Sequence, residues 1–218
     1  MTMIFEDWGL VDYKQALEKQ LEYVEKVVSD ANHPGFLIFC VHPAVVTTGR
    51  QTQPGDIFAW KGPVIEVSRG GRATYHGPSQ VVVYPILNLK HERAGRGPQE
   101  VRGYLRALEK AIVETLKDMN LTAVGKTAQK IPGEAIETDE TGVWIGSQKI
   151  ASLGIAVKKW VSFHGAAINF FEDPNAFLGM NPCGFKTSTM LSIEKQLGHK
   201  PDLQRFKKIL KANCLNLL

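Results

Sequence analysis

Cys183 stands in Asn-Pro-Cys-Gly-Phe, residues 181–185. A proline before and a glycine after the cysteine impose a tight turn, which predicts a thiol at a partly exposed loop apex. Free cysteine is normally a buried packing residue. Cys40 in an apolar run and Cys214 near the end of a helical pattern fit that role, so elimination leaves Cys183 as the candidate nucleophile. A thiol with an ordinary pKa near 8.5 is only a few per cent thiolate at neutral pH. A nucleophilic cysteine therefore needs a cation or base beside it.

Three other segments are unlike scaffold. Lys149 opens the apolar run Lys149–Val157; such a lysine is either a solvent-facing edge charge or a positioned amine, and taken alone the first is commoner. Arg69–Gln80, RGGRATYHGPSQ, puts three glycines, a proline and a histidine between two apolar runs. It is longer than a plain hairpin needs. Its glycines let backbone approach a ligand, and successive N–H groups there can bind an anion. Trp160–Phe170, WVSFHGAAINF, repeats the His-Gly pair inside an apolar run. His164 alone reads as a buried histidine that satisfies its own hydrogen bonds, while Gly165, Ala166 and Ala167 leave room for something to pack on the backbone.

The elements that must position these residues are also legible. Asp12–Val28 is expected as a helix capped by Asp12 and Gln15, with Leu17, Leu21, Val24 and Val28 on one face. Pro98–Met119 is a second, with a stripe of Val101, Tyr104, Leu105, Leu108, Ile112 and Leu116. Ser192 and Asp202 can start helices near the C-terminus, the last with Leu203, Phe206 and Leu210 inward. Phe36–Val41, Val64–Ser68 and Val81–Leu89 read as strands. Gly142–Phe170 reads as a three-strand meander turning at Gly146-Ser147-Gln148 and at Lys158-Lys159. Strands outnumber helices without strict alternation, which predicts an α+β fold, a mixed sheet with flanking helices, in one domain over residues 1–218.

The 218 residues can bury a sizeable core without disulfides or metal. Three cysteines with no CxxC spacing argue against a disulfide framework and a zinc site, and a reducing cytoplasm fits. The longest apolar run, Phe36–Val41, is far too short for a membrane span, and Glu6 and Asp7 occupy the place of a signal's basic start. From Cys183 onward seven basic residues face two acidic ones within a net charge of +4. That asymmetry favours an acidic partner and is too weak for nucleic acid.

Taken in order, HPAVVTTGR (His42–Arg50), RGGRATYHGPSQ, TGVWIGSQKIASLGI (Thr141–Ile155), WVSFHGAAINF and NPCGF resemble the lipoyl(octanoyl) transferase family. Ser79 departs from the family's usual glycine in HGPGQ; if that position needs φ > 0, serine strains it. The resemblance implies a fold like the catalytic domain of biotin and lipoate ligases. It implies transfer of an octanoyl group from acyl carrier protein to a lysine of lipoyl domains, those of 2-oxoacid dehydrogenase complexes and glycine cleavage H protein. It maps the acyl-thioester nucleophile on Cys183 and the residue that lowers its pKa on Lys149. Substrate contacts map on Arg69, Gly70, Gly71, Arg72, Ala73, Thr74, Tyr75 and His76, on Ser152, Leu153 and Gly154, and on Gly165, Ala166 and Ala167. No cofactor or metal, no nucleic acid, no membrane and a monomer are expected.

The chemistry is self-consistent. An ammonium beside the thiol favours the thiolate; once Cys183 is a neutral thioester, a desolvated Lys149 gives up its proton readily and can take one from the acceptor amine. Thioester to amide runs downhill, so no nucleotide is needed. An eight-carbon tail gains roughly 5–6 kcal/mol on burial, with Val67, Val82 and Ile155 expected in its wall. Backbone N–H groups at Cys183-Gly184 and His76-Gly77 are the expected oxyanion hole. The rival readings are an ATP-dependent lipoate or biotin ligase, which needs no such cysteine, and a non-catalytic module that binds carrier protein.

Overall fold

A computed structural model describes residues 2–93, 96–127 and 139–218. In chain order the elements are β1 (Ile4–Leu10), α1 (Tyr13–Ser29), β2 (Phe36–Val41), β3 (Val45–Thr48), β4 (Val64–Glu66), β5 (Thr74–His76), β6 (Gln80–Ile86), α2 (Val101–Lys117), β7 (Val124–Lys126), β8 (Gly142–Ile145), β9 (Gln148–Lys158), β10 (Val161–Asn169), α3 (Ile193–Leu197) and α4 (Leu203–Leu217). Seven strands form one sheet in the order β1-β2-β6-β10-β9-β8-β7; a smaller sheet runs β4-β3-β5. The β1–β2 pair is parallel, the other pairs of the large sheet antiparallel. This is the expected mixed sheet with flanking helices.

Both faces of the sheet are covered, so its central strands are apolar on both sides. Tyr104, Leu108, Ile112 and Leu116 of α2, with Phe206, Leu210 and Cys214 of α4, pack on Leu37, Phe39, Val81 and Val83. On the other face Tyr23, Val24 and Val27 of α1 pack on Ile38, Cys40, Val82 and Phe163. Cys40 and Cys214 are buried packing residues. The buried face of α1 is turned slightly from the expected one: Tyr13, Ala16 and Gln20 are inward, while Leu17, Leu21 and Val28 pack at its margin.

Several boundaries differ from the sequence reading. Strand β1 was not expected, because it is a largely exposed edge strand whose polar residues hide the pattern. The β9–β10 turn is at Lys159-Trp160, not Lys158-Lys159. Both residues have φ > 0, at 51° and 68°, as a two-residue hairpin turn matched to strand twist requires. Helix α2 begins after Pro98, and β5 forms inside the glycine-rich run. The basic α4 is pinned to β1: Lys207 Nζ donates to Asp7 at 2.8 Å and Lys211 lies over the Phe5 ring. Among the described residues no helix is long and apolar enough to cross a membrane.

The Asp12 side chain accepts from the N–H groups of Lys14 and Gln15 at 2.8 and 3.3 Å, satisfying two donors at the start of α1. Asp12→Ala is expected to cost about 1 kcal/mol, read as a lower urea midpoint with an unchanged slope.

Candidate active site

The turn around Cys183 is strained as well as tight. Cys183 has φ 55° and ψ 23°, and Gly184 follows at φ 83°. A left-handed cysteine costs on the order of 1 kcal/mol unless its surroundings over-determine it. They do: its N–H donates to the Ala73 carbonyl and its own carbonyl accepts from Asp139 N–H, both at 2.8 Å. The thiol lies 3.4 Å from Thr74 Oγ1 and 3.9 Å from Ser152 Oγ. The expected exposed apex is corrected: the residue is buried, 5% exposed, because the turn folds back on β5.

Lys149 is fully buried near the start of β9, not an edge charge. Its Nζ donates to the Asp139 carbonyl at 2.6 Å and sits 5.5 Å from the ring centroids of Trp144 and Phe185. Ring faces and a carbonyl dipole replace part of the water an ammonium loses on burial. Gly142 makes room for it; a Cβ there would come within 2.6 Å of the Lys149 Cε. Burial raises the nearby Glu109 carboxyl above its ordinary pKa, and Lys149 pulls it the other way. Asp139 thus joins the two candidates, its N–H on Cys183 and its carbonyl on Lys149. No motif in the sequence marks it.

Cys183 opens on a small cavity of about 20 Å³. Of the expected substrate contacts, Arg69, Thr74, His76, Ser152, Leu153, Gly154, Gly165, Ala166 and Ala167 line it. Gly70, Gly71, Arg72, Ala73 and Tyr75 do not: within β5 alternation turns Thr74 and His76 inward and Tyr75 away, and the other four precede the strand. Tyr75 packs on Trp60 and Phe177, and Arg72 is held by the buried Asp56 carboxylate. Gly70 N–H donates to the Ile155 carbonyl, and the Gly71 carbonyl accepts from Gln51. Val67, Val82 and Ile155 fall in three separate apolar clusters and are absent from the wall.

The expected oxyanion donors are also committed elsewhere. Gly184 N–H donates to the Asn181 carbonyl and Gly77 N–H to Gln80 Oε1, at 3.0 and 3.3 Å; Cys183 N–H is taken by Ala73. Close to the sulfur, Ser152 Oγ accepts from the thiol and the Thr74 hydroxyl shares a hydrogen bond with it; either hydroxyl can turn its proton toward an oxyanion. Ser79 has no positive φ, so the substitution is unstrained.

Three cavity residues escaped the sequence reading altogether: Asp139, and Tyr13 and Tyr84, whose signal was submerged in helix and strand patterns. His164 is corrected. It sits mid-strand at φ 59°, its N–H held by Gln20 Oε1 at 2.8 Å. Its Nδ1 is 3.5 Å from the Tyr13 hydroxyl, while Nε2 has no partner among the described residues. His76 contacts Thr47 Oγ1 at 3.5 Å through Nε2, and its Nδ1 is likewise unpartnered. His42 is satisfied, with Nδ1 on the Val11 carbonyl and Nε2 on the Tyr84 hydroxyl, both 2.8 Å. Burial lowers all three histidines, His164 to about 3 and His76 well below the ordinary value with added repulsion from His42, Arg69 and His164. Burial pushes the Tyr13 phenol up to about 12. All three imidazoles are therefore neutral at pH 7.

The lipoyl protein ligase A/B catalytic domain matches residues 12–214. An octanoyltransferase of Bdellovibrio bacteriovorus is 54% identical over 99% of each chain. The fold is similar to that of a bipartite lipoate protein ligase from Thermoplasma acidophilum, with TM-score 0.67 at 14% identity over 98% of this chain and 82% of that one. It is similar also to biotin protein ligase from Aquifex aeolicus, with TM-score 0.51 at 11% identity over 97% and 68%.

The buried neutral histidines make the fold acid-labile. Unfolded, each titrates near 6.5; folded, each titrates lower, so below pH 6.5 the unfolded chain binds more protons. Stability is complete above that pH and falls on acidification, by at most about 1.4 kcal/mol per pH unit per histidine. Urea unfolding between pH 7 and 4 should show the decline, and His164→Asn, which tolerates left-handed backbone, should remove one share. Arg72→Ala should cost about 3–5 kcal/mol by leaving Asp56 buried and unpaired; denaturation of the variant measures it.

Proposed function

From the premise that this chain belongs to the lipoyl protein ligase A/B catalytic-domain family and is an octanoyltransferase, we propose that it carries the octanoyl group on Cys183 as a thioester. The donor is octanoyl-acyl carrier protein. The acceptor is a lysine of a lipoyl domain, as in 2-oxoacid dehydrogenase complexes and glycine cleavage H protein, and the chain acts as a single-domain monomer. The observation that carries this reading is the Asp139 bridge: one residue's N–H and carbonyl tie Cys183 and the Lys149 ammonium into one buried site.

In the first step the Cys183 thiolate attacks the donor's thioester carbon. A new C–S bond forms at Cys183, the bond to the carrier's sulfur breaks, and the departing thiolate takes a proton from the Lys149 ammonium. The developing oxyanion is within reach of the Thr74 and Ser152 hydroxyls, which sit beside the sulfur. Acylation thereby leaves Lys149 neutral and able to accept a proton. In the second step the acceptor amine attacks the acyl carbon, the amide bond forms, and Cys183 departs; the amine's surplus proton passes to Lys149.

Burial of both groups fits this cycle. With water excluded, the thioester is protected from hydrolysis and the charge coupling is strengthened. The T. acidophilum ligase belongs to a lipoylation system with its own E2 lipoyl domain, which is in keeping with a lipoyl domain as acceptor.

Incubation of the protein with octanoyl-carrier protein and no ATP should add one octanoyl group to Cys183 by intact mass. Cys183→Ala should abolish the adduct. An adduct that requires ATP and free octanoate would instead identify a ligase. Lys149→Ala is expected to slow both acylation and transfer, by roughly 10²–10⁴-fold; a variant that acylates normally and fails only in transfer would contradict the shared role.

A further inference from the structure

The buried face of α2 carries a charge. Tyr104, Leu108, Ala111, Ile112 and Leu116 make that face apolar, and Glu109 stands among them at 4% exposure. Its Oε2 accepts from the Thr127 hydroxyl at 2.7 Å, while Oε1 has no partner among the described residues. A half-satisfied carboxylate in a core costs stability that leucine there would not. Neither half of the transfer reaction touches it.

Two glycines bring Glu109 toward Lys149. Gly125 on β7 and Gly142 on β8 lie on adjacent rungs, Gly125 opposite Val143 and Gly142 opposite Lys126. A Cβ on Gly125 would come within 2.9 Å of the Glu109 Cβ and 3.0 Å of its Oε2; one on Gly142 would come within 2.6 Å of the Lys149 Cε. The Gly142 N–H lies against the Glu109 carboxylate. A hydrogen-bond length of about 3 Å, about 2.5 Å from N to the Cβ position, the 2.6 Å to Cε and one more bond to Nζ put the two charges at most about 10 Å apart. The other charged groups around this pair are engaged elsewhere. Arg106 pairs with Glu100 and Lys126 with Glu140 at the surface, the Asp139 carboxylate accepts from Thr141 N–H, and Cys183 faces Lys149 from the far side of Asp139. At about 10 Å and an effective dielectric of about 20, one charge favours its opposite by on the order of tenfold.

Resting on the thioester reading above, we infer that Glu109 is the buried counter-charge of Lys149 and a positioning residue for amide formation. The two halves of the cycle need it unequally. In the resting protein the Cys183 thiolate balances the Lys149 ammonium, and acylation ends with Lys149 neutral. In the second half Lys149 takes the acceptor's proton while the sulfur is still bonded to the acyl carbon and carries no charge. Glu109 is then the fixed carboxylate that stabilises the new ammonium. Departure of Cys183 as a thiolate restores the resting pair. Glu109 takes no proton at any step and touches no reacting atom; it acts through Lys149.

Single-turnover rates separate the halves: uptake from octanoyl-carrier protein, then transfer from the isolated acyl-protein to a lipoyl domain. Glu109→Gln, which keeps the shape and the Thr127 contact, should slow transfer about tenfold and leave uptake near the wild-type rate. Glu109→Asp, which keeps the charge, should restore most of the transfer. A substitution that only disturbs the packing of Lys149 slows both halves together. Urea unfolding gives an independent measure: Glu109→Gln should be less costly in a Lys149→Met background than in the wild type, by about tenfold in the folding equilibrium. If Glu109→Gln alone does not fold, adding Lys149→Met should restore folding. Equal slowing of both halves, unchanged transfer, additive effects on stability or a double variant that stays unfolded overturns the proposal while leaving the thioester chemistry in place. A wild-type protein that takes up no octanoyl group removes the thioester reading and the role in amide formation with it, while the stability cycle still decides whether the two charges are paired.

Discussion

A fully buried ammonium sets the terms for this structure. Lys149 has no exposed surface, and a charge in that position is tolerated only if the protein replaces the water it has lost. The replacement comes from several elements at once: the Asp139 carbonyl, the Trp144 ring on β8 and the Phe185 ring two residues after Cys183. Gly142 yields the space. Because Phe185 and Asp139 also fix the cysteine turn, solvating the lysine and placing the thiol are one packing problem. No one of these groups can move without exposing or stranding another.

Two strained residues sit where the chemistry is. Among the described residues, the two non-glycine positions with left-handed backbone that line the cavity are Cys183 and His164. Each is clamped by hydrogen bonds from elsewhere in the chain, Cys183 by Ala73 and Asp139, His164 by Gln20 on α1. The strain is then carried by the fold as a whole and not by the loops themselves.

The glycine-rich run divides its labour in the same way. Thr74 and His76 face the cavity, whereas Arg72 is bound by Asp56 and Tyr75 fills an apolar cluster below. A segment that looks wholly like a ligand loop is half scaffold, since a strand can present only alternate residues to one side. Arg69 belongs to both halves: its guanidinium ties β3 to the run, and its unpartnered Nε belongs to the cavity wall.

The sequence by itself determined the parts whose physics is local. The Asp12, Ser192 and Asp202 caps, the apolar stripe of α2, the β8–β9–β10 meander and the tight turn at Pro182-Cys183-Gly184 all follow from neighbours within a few residues. Cys183 and Lys149 as the pair to watch came instead from the family resemblance that the motifs carry. What only the tertiary structure decided is which side chains are buried and which backbone donors are already committed. Nothing near residue 183 in the chain shows that its thiol is enclosed, that its N–H is taken by Ala73, or that Asp139 bridges it to Lys149. The same holds for Tyr13 and the unpaired nitrogens of His76 and His164. Burial and hydrogen-bond partnership across tens of residues depend on how α1, β5 and β10 come together, and that is a property of packing, not of spacing.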